Sequence, residues 1–272
     1  MKNILIPTDF STNSRRAAEY AILLFHSNDT CLYLMNSYEM PQAGASMLIS
    51  MEDILKKNSE EELCNLQVEL KQEFSGHKPN LKTLSIYGDP VFAVSKVVED
   101  YGINLVVMGT QGASGIKEKL IGSNTASVVK KANCPVLAVP EKSPLNVPKR
   151  ILLAVDPAHF DSEAVIPLQK LAHLFQSTIY LLYVAAEESS ISDNDLLLLT
   201  KLDTRFKGIK VIPKVLVSSN AVDAIDSYAE QIEANLVVML PRKTNFFENL
   251  FFKSHSKKMA MHTNIPLLTL PV

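Results

Sequence analysis

The chain is poor in cysteine and lacks tryptophan. Its 272 residues include three cysteines and no tryptophan. The cysteines, Cys31, Cys64 and Cys134, are widely spaced and form no CxxC pair, which argues against a cysteine-rich zinc site and against a disulfide framework. We therefore expect a protein of a reducing, cytoplasmic compartment.

Net charge and long hydrophobic runs are also lacking. The 27 basic and 29 acidic residues leave a formal charge of -2, so there is no broad positive surface for nucleic acid or an anionic membrane. The apolar run near the start is ended by Pro7 and Asp9 before a secretory or membrane-spanning segment could form. We expect no nucleic-acid or membrane partner.

What the chain does contain is one pattern written twice. ILIPTD at residues 4–9 recurs as ILLAVD at residues 151–156, an offset of 151 − 4 = 147. NLVVMGTQG at residues 104–112 recurs as NLVVMLPRK at residues 235–243, an offset of 235 − 104 = 131. The second copy is therefore shorter by 147 − 131 = 16 residues, and we expect the loss between its second and third strands.

The two copies predict two tandem domains. The proline-containing, aperiodic stretch EKSPLNVPK at residues 141–149 is typical of a linker. We expect one domain at residues 1–142 and a second at residues 149–272.

Apolar runs that alternate with helical patterns predict an α/β fold. Strands of the first copy are expected at about residues 3–7, 31–36, 82–87, 105–108 and 136–139. Ser11 is expected to cap the first helix, and Asp89 with Pro90 to begin the third. The first helix should face the sheet with Ala17, Ala18, Ala21 and Leu24. Each copy is predicted to be a doubly wound, Rossmann-like parallel sheet of five strands.

Glycines stand at fixed offsets directly after the predicted fourth strand. Residues 109–123 read GTQGASGIKEKLIGS, in which Gly109, Gly112 and Gly122 precede Ser123 and the helical pattern TASVVKKA at residues 125–132. A bound phosphate chain needs backbone N–H groups, a helix N-terminus and no Cβ atoms where its oxygens approach. The residues alone leave two interpretations open, a phosphate site or a loop that needs glycine for its backbone angles.

Several other nucleotide and catalytic motifs are excluded by inspection. There is no GxxxxGK[ST], and the first strand-to-helix turn, PTDFSTNS, lacks the glycines that a dinucleotide pyrophosphate requires. No GxSxG or HExxH occurs, and the histidines show no metal-ligand spacing, so we assign no catalytic residue. Asp9 ends the first strand with a carboxylate placed for a ribose hydroxyl or for Mg²⁺ on phosphates.

These residues resemble the nucleotide motif of the universal stress protein family. The pattern Gly109-x2-Gly112-x9-Gly122-Ser123 has the family's companions, PTDFS, GDP, VVMGT and CPVLAVP, in the expected order. The resemblance covers the whole chain as two tandem domains. It implies an ATP-binding regulatory protein of the stress response, with Mg²⁺ bound through ATP. The alternative is a slow ATP hydrolase that uses the same pocket.

The resemblance also implies a set of binding residues. The end of the first strand would flank the adenosine, with Asp9 nearest the Mg²⁺. Asn36 would meet the adenine through its backbone, while its side chain belongs to the scaffold. Met108 and Gly109, at the end of the fourth strand, would lie beneath the ribose. The motif residues after that strand, Gly112, Gly122, Ser123 and Asn124, would hold the phosphates. The full set is Pro7, Thr8, Asp9, Asn36, Met108, Gly109, Gly112, Gly122, Ser123 and Asn124.

The second copy departs from this motif. At the offset of 131, Leu240, Lys243 and Lys253 replace the three glycines, and Pro241 removes a backbone donor. We expect no ATP there. With Arg242, the two lysines could attract a different anion or could simply be solvated.

The assembly is also predicted in outline. In the family, the last strand of each domain pairs with a partner domain, which would cover an exposed edge. Here this implies an intramolecular pseudo-dimer, with a homodimer as a further step, and an unidentified protein partner that reads the nucleotide state. FFENLFF at residues 246–252 is expected either in the core or at such an interface.

Overall fold

The structure, a computed structural model, divides into two units, Met1–Leu145 and Asn146–Val272. The residues that it describes are 1–27, 29–40, 48–111, 122–157, 160, 163–188, 191–192, 199, 205–240 and 264–271. Among the helices of these residues, none combines the length and the apolar character that a membrane crossing requires.

The first unit contains the predicted parallel sheet. Its strands are β1 (Asn3–Pro7), β2 (Cys31–Tyr38), β3 (Leu81–Tyr87), β4 (Leu105–Gly109) and β5 (Val136–Val139). They lie in the order β3-β2-β1-β4-β5, and every neighbouring pair is parallel. Each begins and ends within two residues of its predicted position. The central strands are buried because a sheet with helices on both faces has no wet side.

Four helices cover this sheet within the described residues. They are α1 (Thr12–Phe25), α2 (Leu48–Glu73), α3 (Pro90–Asp100) and α4 (Ser123–Lys131). Ser11 Oγ accepts a hydrogen bond from Ser14 N at 3.2 Å and so caps α1. Asp89 Oδ1 accepts from Val91 N and Phe92 N, each at 3.0 Å, and caps α3. The four residues expected on the sheet side of α1 are buried, which confirms that prediction.

The second unit repeats the topology. Its elements are β6 (Arg150–Val155), α5 (Ile166–Phe175), β7 (Thr178–Ala185), β8 (Lys210–Val217), α6 (Ala221–Gln231), β9 (Leu236–Met239) and β10 (Leu267–Thr269). The strand order within this unit is β8-β7-β6-β9-β10, again with parallel pairs. The prediction of two doubly wound parallel sheets is therefore confirmed.

The repeat extends to single side chains. Asn104 Oδ1 accepts the two N–H groups at the entrance to β1, at 2.9 and 3.2 Å. Asn235 Oδ1 accepts the two N–H groups at the entrance to β6, both at 3.1 Å. Two residues before each asparagine the backbone is left-handed, with φ 58° at Gly102 and 48° at Glu233. A glutamate in that conformation costs about 1 kcal/mol more than a glycine.

The difference in length lies between the second and third strands of each unit, as predicted. Leu32 pairs with Leu81 and Ile179 pairs with Val211. The separations are 81 − 32 = 49 and 211 − 179 = 32, so the second unit has 17 fewer residues here. Between the third strand and the cap of the helix that follows it, the second unit has one residue more than the first. The net difference is therefore 16 residues.

Candidate functional site

The carboxyl ends of β1 and β4 form the edge where a ligand is expected. The strand order reverses between these two neighbours, so the connections leave in opposite directions and open a crevice. The described candidates follow β1, end β4, begin α4 or lie on β2. They are Pro7, Thr8, Asp9, Asn36, Met108, Gly109, Gly122, Ser123 and Asn124. Gly112 lies outside the described residues.

The loop after β1 is held by its own side chains. Thr8 Oγ1 accepts from Phe10 N at 3.0 Å and lies 3.0 Å from Ser14 Oγ. Asp9 Oδ1 accepts from Ser11 Oγ at 2.6 Å and from Ser11 N at 3.1 Å. Phe10 has a left-handed backbone, with φ 62°, which costs on the order of 1 kcal/mol for a residue with a side chain. The loop thus holds the exposed Asp9 carboxylate at the sheet edge.

Asn36 supports this loop from the neighbouring strand. Its Nδ2 donates to the carbonyl oxygen of Thr8 at 2.8 Å, and the side chain is half-buried. Its backbone lies in the β2–β3 ladder opposite Ser85. The side chain therefore positions the β1 loop.

The end of β4 is tied to the start of α4. Thr110 N donates to the carbonyl of Val139 at 3.1 Å, and Gly122 N donates to the carbonyl of Thr110 at 2.6 Å. Thr125 Oγ1 donates to the carbonyl of Gly109 at 2.8 Å. These bonds place the N-terminus of α4 beside the end of β4.

This helix N-terminus differs from its neighbours in its cap. The N-cap of α4 is Gly122, and no side chain of the described residues caps the helix, whereas α1 and α3 are capped by Ser11 and Asp89. Ser123 and Asn124 are exposed. The first N–H groups of any helix need an acceptor, and the helix dipole adds partial positive charge there. The start of α4 can therefore bind an anion.

Gly109 has a reason within the chain to be glycine. A Cβ added at Gly109 would lie 1.8 Å from Asn13 Oδ1 and 3.1 Å from the Asn13 backbone carbon. Asn13 is 5% exposed, and its Oδ1 has no hydrogen-bond partner among the described residues. The first helix thus packs directly on bare main chain at the end of β4.

Sequence reasoning did not identify this partner. The one available signal was a polar residue in the first turn of α1, in the turn PTDFSTNS. That signal does not say which strand Asn13 will contact.

A metal ion at this edge would need the nucleotide. The described residues contain no cluster of three or more histidine, cysteine or acidic side chains that could hold one. Asp9 is a single carboxylate, and its Oδ1 already accepts two bonds from Ser11. Because Mg²⁺ binds about six oxygens, most of its ligands here would be phosphate oxygens and water.

The corresponding edge of the second unit carries different residues. Leu240 follows β9 in the place of Gly109, and Phe160, at the offset of 147 from Asn13, lies six residues before α5 begins. Both are half-buried. The calls on residues 241–253, which include the two lysines and the phenylalanine-rich stretch, lie outside the described residues.

These features define a doubly wound α/β protein in which, among the described residues, no side chain caps the helix start at the switch point of the first sheet. Residues 1–140 and 148–271 each match the family model of the universal stress protein family. The chain therefore belongs to the universal stress protein family, in a tandem two-domain form, and the resemblance seen in the sequence is confirmed.

Relatives of known name match one domain's length of the chain. Universal stress protein MJ0577 of Methanocaldococcus jannaschii is 31% identical over 156 residues, covering 52% of this chain and 96% of that protein. Universal stress protein MJ0531 of the same organism is 34% identical over 144 residues, covering 51% of this chain and 81% of that protein. A crystal structure of a universal stress protein from Archaeoglobus fulgidus aligns over 98% of this chain and 95% of its own, with a TM-score of 0.73 and 20% identity. The last likeness supports the tandem fold.

Proposed function

We propose that the first unit binds ATP at the carboxyl edge of β1 and β4, and that the protein is an ATP-binding regulator of the stress response. The observation that carries this proposal is the N-terminus of α4. It begins at Gly122 at the switch point of the sheet, without a side-chain cap from the described residues. The other two described helix starts of this unit satisfy their own N–H groups.

Each part of the edge has a task in this proposal. The N–H groups of Ser123 and Asn124, with the Ser123 hydroxyl, donate to the phosphate oxygens. Gly122 adds no Cβ there, and Gly112 contributes from outside the described residues. The triphosphate brings in Mg²⁺ and completes its oxygen shell together with Asp9 and water.

The sugar and base would lie on the β1 and β2 side. Pro7, Thr8 and Asp9 flank the adenosine, and the Asp9 carboxylate is exposed at the strand end to accept ribose hydroxyls. Met108, the residue before the end of β4, lies beneath the ribose, and the Asn36 backbone meets the adenine. The bond from Asn36 Nδ2 to the Thr8 carbonyl keeps the two sides in register.

The second unit has a structural or regulatory role in this proposal. At the offset of 131, Leu240, Lys243 and Lys253 replace the motif glycines there, so we expect their Cβ atoms to hinder the approach of triphosphate oxygens. The two units would form a pseudo-dimer through their last strands, with a homodimer as a further step. A protein partner would read the nucleotide state.

The test starts from the full chain as purified. Mass spectrometry of the nucleotide released on denaturation should show an adenine nucleotide, and titration should show ATP bound in preference to GTP. Single-turnover incubation with Mg²⁺ and ATP then separates the two readings of the site. Recovered intact ATP supports a binding protein, and stoichiometric ADP would make it a slow hydrolase. Absence of ATP binding at millimolar concentration would overturn the proposal.

A further inference from the structure

Helix α2 runs antiparallel to β3 with one buried stripe. Ser59 Oγ accepts from Ser85 Oγ at 2.8 Å, and Gln67 Nε2 donates to the carbonyl of Leu81 at 2.9 Å. The buried residues of the helix recur at intervals of three and four, which is the pattern of a sheet-facing stripe. They are Ser59, Leu63, Leu66 and Leu70.

This stripe continues past the end of the sheet. A strand advances about 3.3 Å per residue and a helix about 1.5 Å, so the last residue of β3 lies level with a point roughly four residues before Ser59. Glu52 lies seven residues before Ser59, about two helical turns back on the same stripe, and it is exposed. The first turns of α2 therefore stand beyond β3, at the carboxyl edge of the sheet.

Two exposed aromatic side chains lie at the same level. Tyr87 ends β3 and is 50% exposed, with its ring 5.7 Å from that of Tyr38. Phe92, in the first turn of α3, is 56% exposed and packs near Gly88, where an added Cβ would lie 3.1 Å from its ring. We call Tyr87 and Phe92 the overhang surface. Apolar side chains that gather at an exposed edge are typical of contact surfaces.

Carboxylates lie near Tyr38, whose ring contacts the overhang surface. Burial, followed by the nearby charges of Glu52, Glu60 and Asp53, raises the pKa of Tyr38. These carboxylates therefore lie close to the ring that contacts Tyr87.

The described lysines in this part of the first unit do not balance the negative charge. The two lysines in this part of α2 are each paired with a glutamate one turn on, at 4.0 and 3.6 Å. Within the described part of the chain, Glu39, Glu52 and Asp53 form no ion pair. An apolar centre with an unbalanced acidic rim is complementary to an apolar group flanked by positive charge.

The second unit lacks this combination. Val217 ends β8 where Tyr87 ends β3, and Asp223 stands in the first turn of α6 where Phe92 stands in α3. The segment that contains α2 in the first unit is 17 residues shorter in the second, by the strand registers given above. Within the described residues, the surface therefore belongs to the first unit.

We propose that the overhang surface docks a segment of another protein in which a large apolar side chain is flanked by lysine or arginine. The apolar side chain contacts Tyr87 and Phe92, and the flanking cations meet Glu52 and Asp53. Because the surface lies at the same edge as the nucleotide site, a docked partner is placed to read its occupancy. This last point alone rests on the proposed function.

The test uses the full chain without nucleotide and a labelled synthetic amphipathic peptide of leucine and lysine. A twin peptide with glutamate in place of each lysine controls for charge. Fluorescence anisotropy should show binding of the lysine peptide, and the twin should bind at least about tenfold more weakly. The double variant Tyr87→Ser with Phe92→Ser should also weaken binding at least about tenfold. The matched control is Leu174→Ser, which removes a side chain 62% exposed in the second unit.

Each other outcome decides against the proposal. Equal binding of both peptides, no binding of the lysine peptide, or an equal loss in Leu174→Ser would overturn it. Concentration-dependent dimerisation that Phe92→Ser removes would assign the surface to a second copy of the chain and would also overturn it. Circular dichroism and melting of each variant confirm that the fold is kept.

Repeating the titration with ATP separates the two proposals. A peptide affinity that changes with ATP supports the proposal that a docked partner senses whether the nucleotide is bound. An unchanged affinity overturns that proposal, while peptide binding itself still supports the docking surface. Failure of ATP to bind, with peptide binding intact, overturns the proposed function and leaves the docking surface in place.

Discussion

The two units share a backbone plan and differ at the edge that matters for ligands. In the first, Asn13 packs onto the bare main chain of Gly109. In the second, Leu240 follows β9 in the place of the glycine, and Phe160, at the offset of 147 from Asn13, lies before the first residue of α5. The two units therefore differ in both residues of this contact as well as in the glycine motif.

The largest effect is expected from filling the space at Gly109. Gly109→Ala places a methyl group against Asn13, so we expect a loss of about 1 to 3 kcal/mol in the free energy of unfolding and a loss of ATP binding. Denaturant unfolding and ATP titration measure the two effects. The double variant with Asn13→Ala should recover at least half of the stability, because the amide that the methyl meets is gone. A Gly109→Ala protein with full stability and no ATP binding would show that the ligand, not Asn13, requires glycine there.

The next effect separates ligand binding from folding. Gly122 has φ −67° and ψ 156°, an extended conformation that valine adopts easily. Gly122→Val should therefore retain stability and weaken ATP binding at least about tenfold, or roughly 1.4 kcal/mol, because a branched side chain enters the phosphate space. Calorimetric titration gives the affinity. Lys253→Ala in the second unit is the matched control and should leave the ATP affinity unchanged. A loss of ATP binding in that control would show that the assignment of the site to the first unit is wrong.

A smaller effect concerns Asp226, a half-buried carboxylate on α6. The matching position on α3 of the first unit has no carboxylate. Burial, and then the charge of Asp223, raises the pKa of Asp226 from 3.8 to about 6, while Ser95 stands at the matching place in α3. The folded state therefore prefers the protonated form of Asp226. The contribution of this form to the free energy of unfolding is fully present below the unfolded pKa and is lost as the pH rises through about 6.

Asp226→Asn should therefore stabilise the protein at pH 7.5 by about 1 kcal/mol after allowance for solvent screening. The gain should disappear near pH 4. Melting curves across this pH range measure it, with Asp223→Asn as a partial version of the change. An equal gain at both pH values would show that the charge of Asp226 is not the cause.

The smallest effect tests the left-handed position that the units share. Glu233→Gly should raise the free energy of unfolding by about 0.5 to 1 kcal/mol, because glycine adopts φ 48° without strain. The exposed ion pair between Glu233 and Arg150 contributes little against this. Gly102→Glu should cost a similar amount, since no atom lies within 4 Å of an added Cβ. Changes of the same sign in both variants would contradict the matched roles.

Much of the fold could be predicted because its signals are local. A buried parallel strand reads as an unbroken apolar run, as in NLVVMG, and its bounds followed within two residues. Ser11 and Asp89 predicted the starts of their helices because a capping side chain bonds to N–H groups within the next three residues. The glycine pattern likewise predicted the start of α4 and the family. The contact from Asn36 to Thr8 crosses 28 positions, and no local rule anticipates it.

By itself the sequence determined the two tandem copies, their strands and helix starts, and the family. These follow from periodicity, capping and repeated motifs, which depend on residues a few positions apart. Only the tertiary structure decided that Asn13 packs on Gly109, that α4 begins beside β4 with no side-chain cap from the described residues, and that α2 extends beyond β3. Each of these depends on how far one element reaches along another, and that distance is set by packing across the sheet.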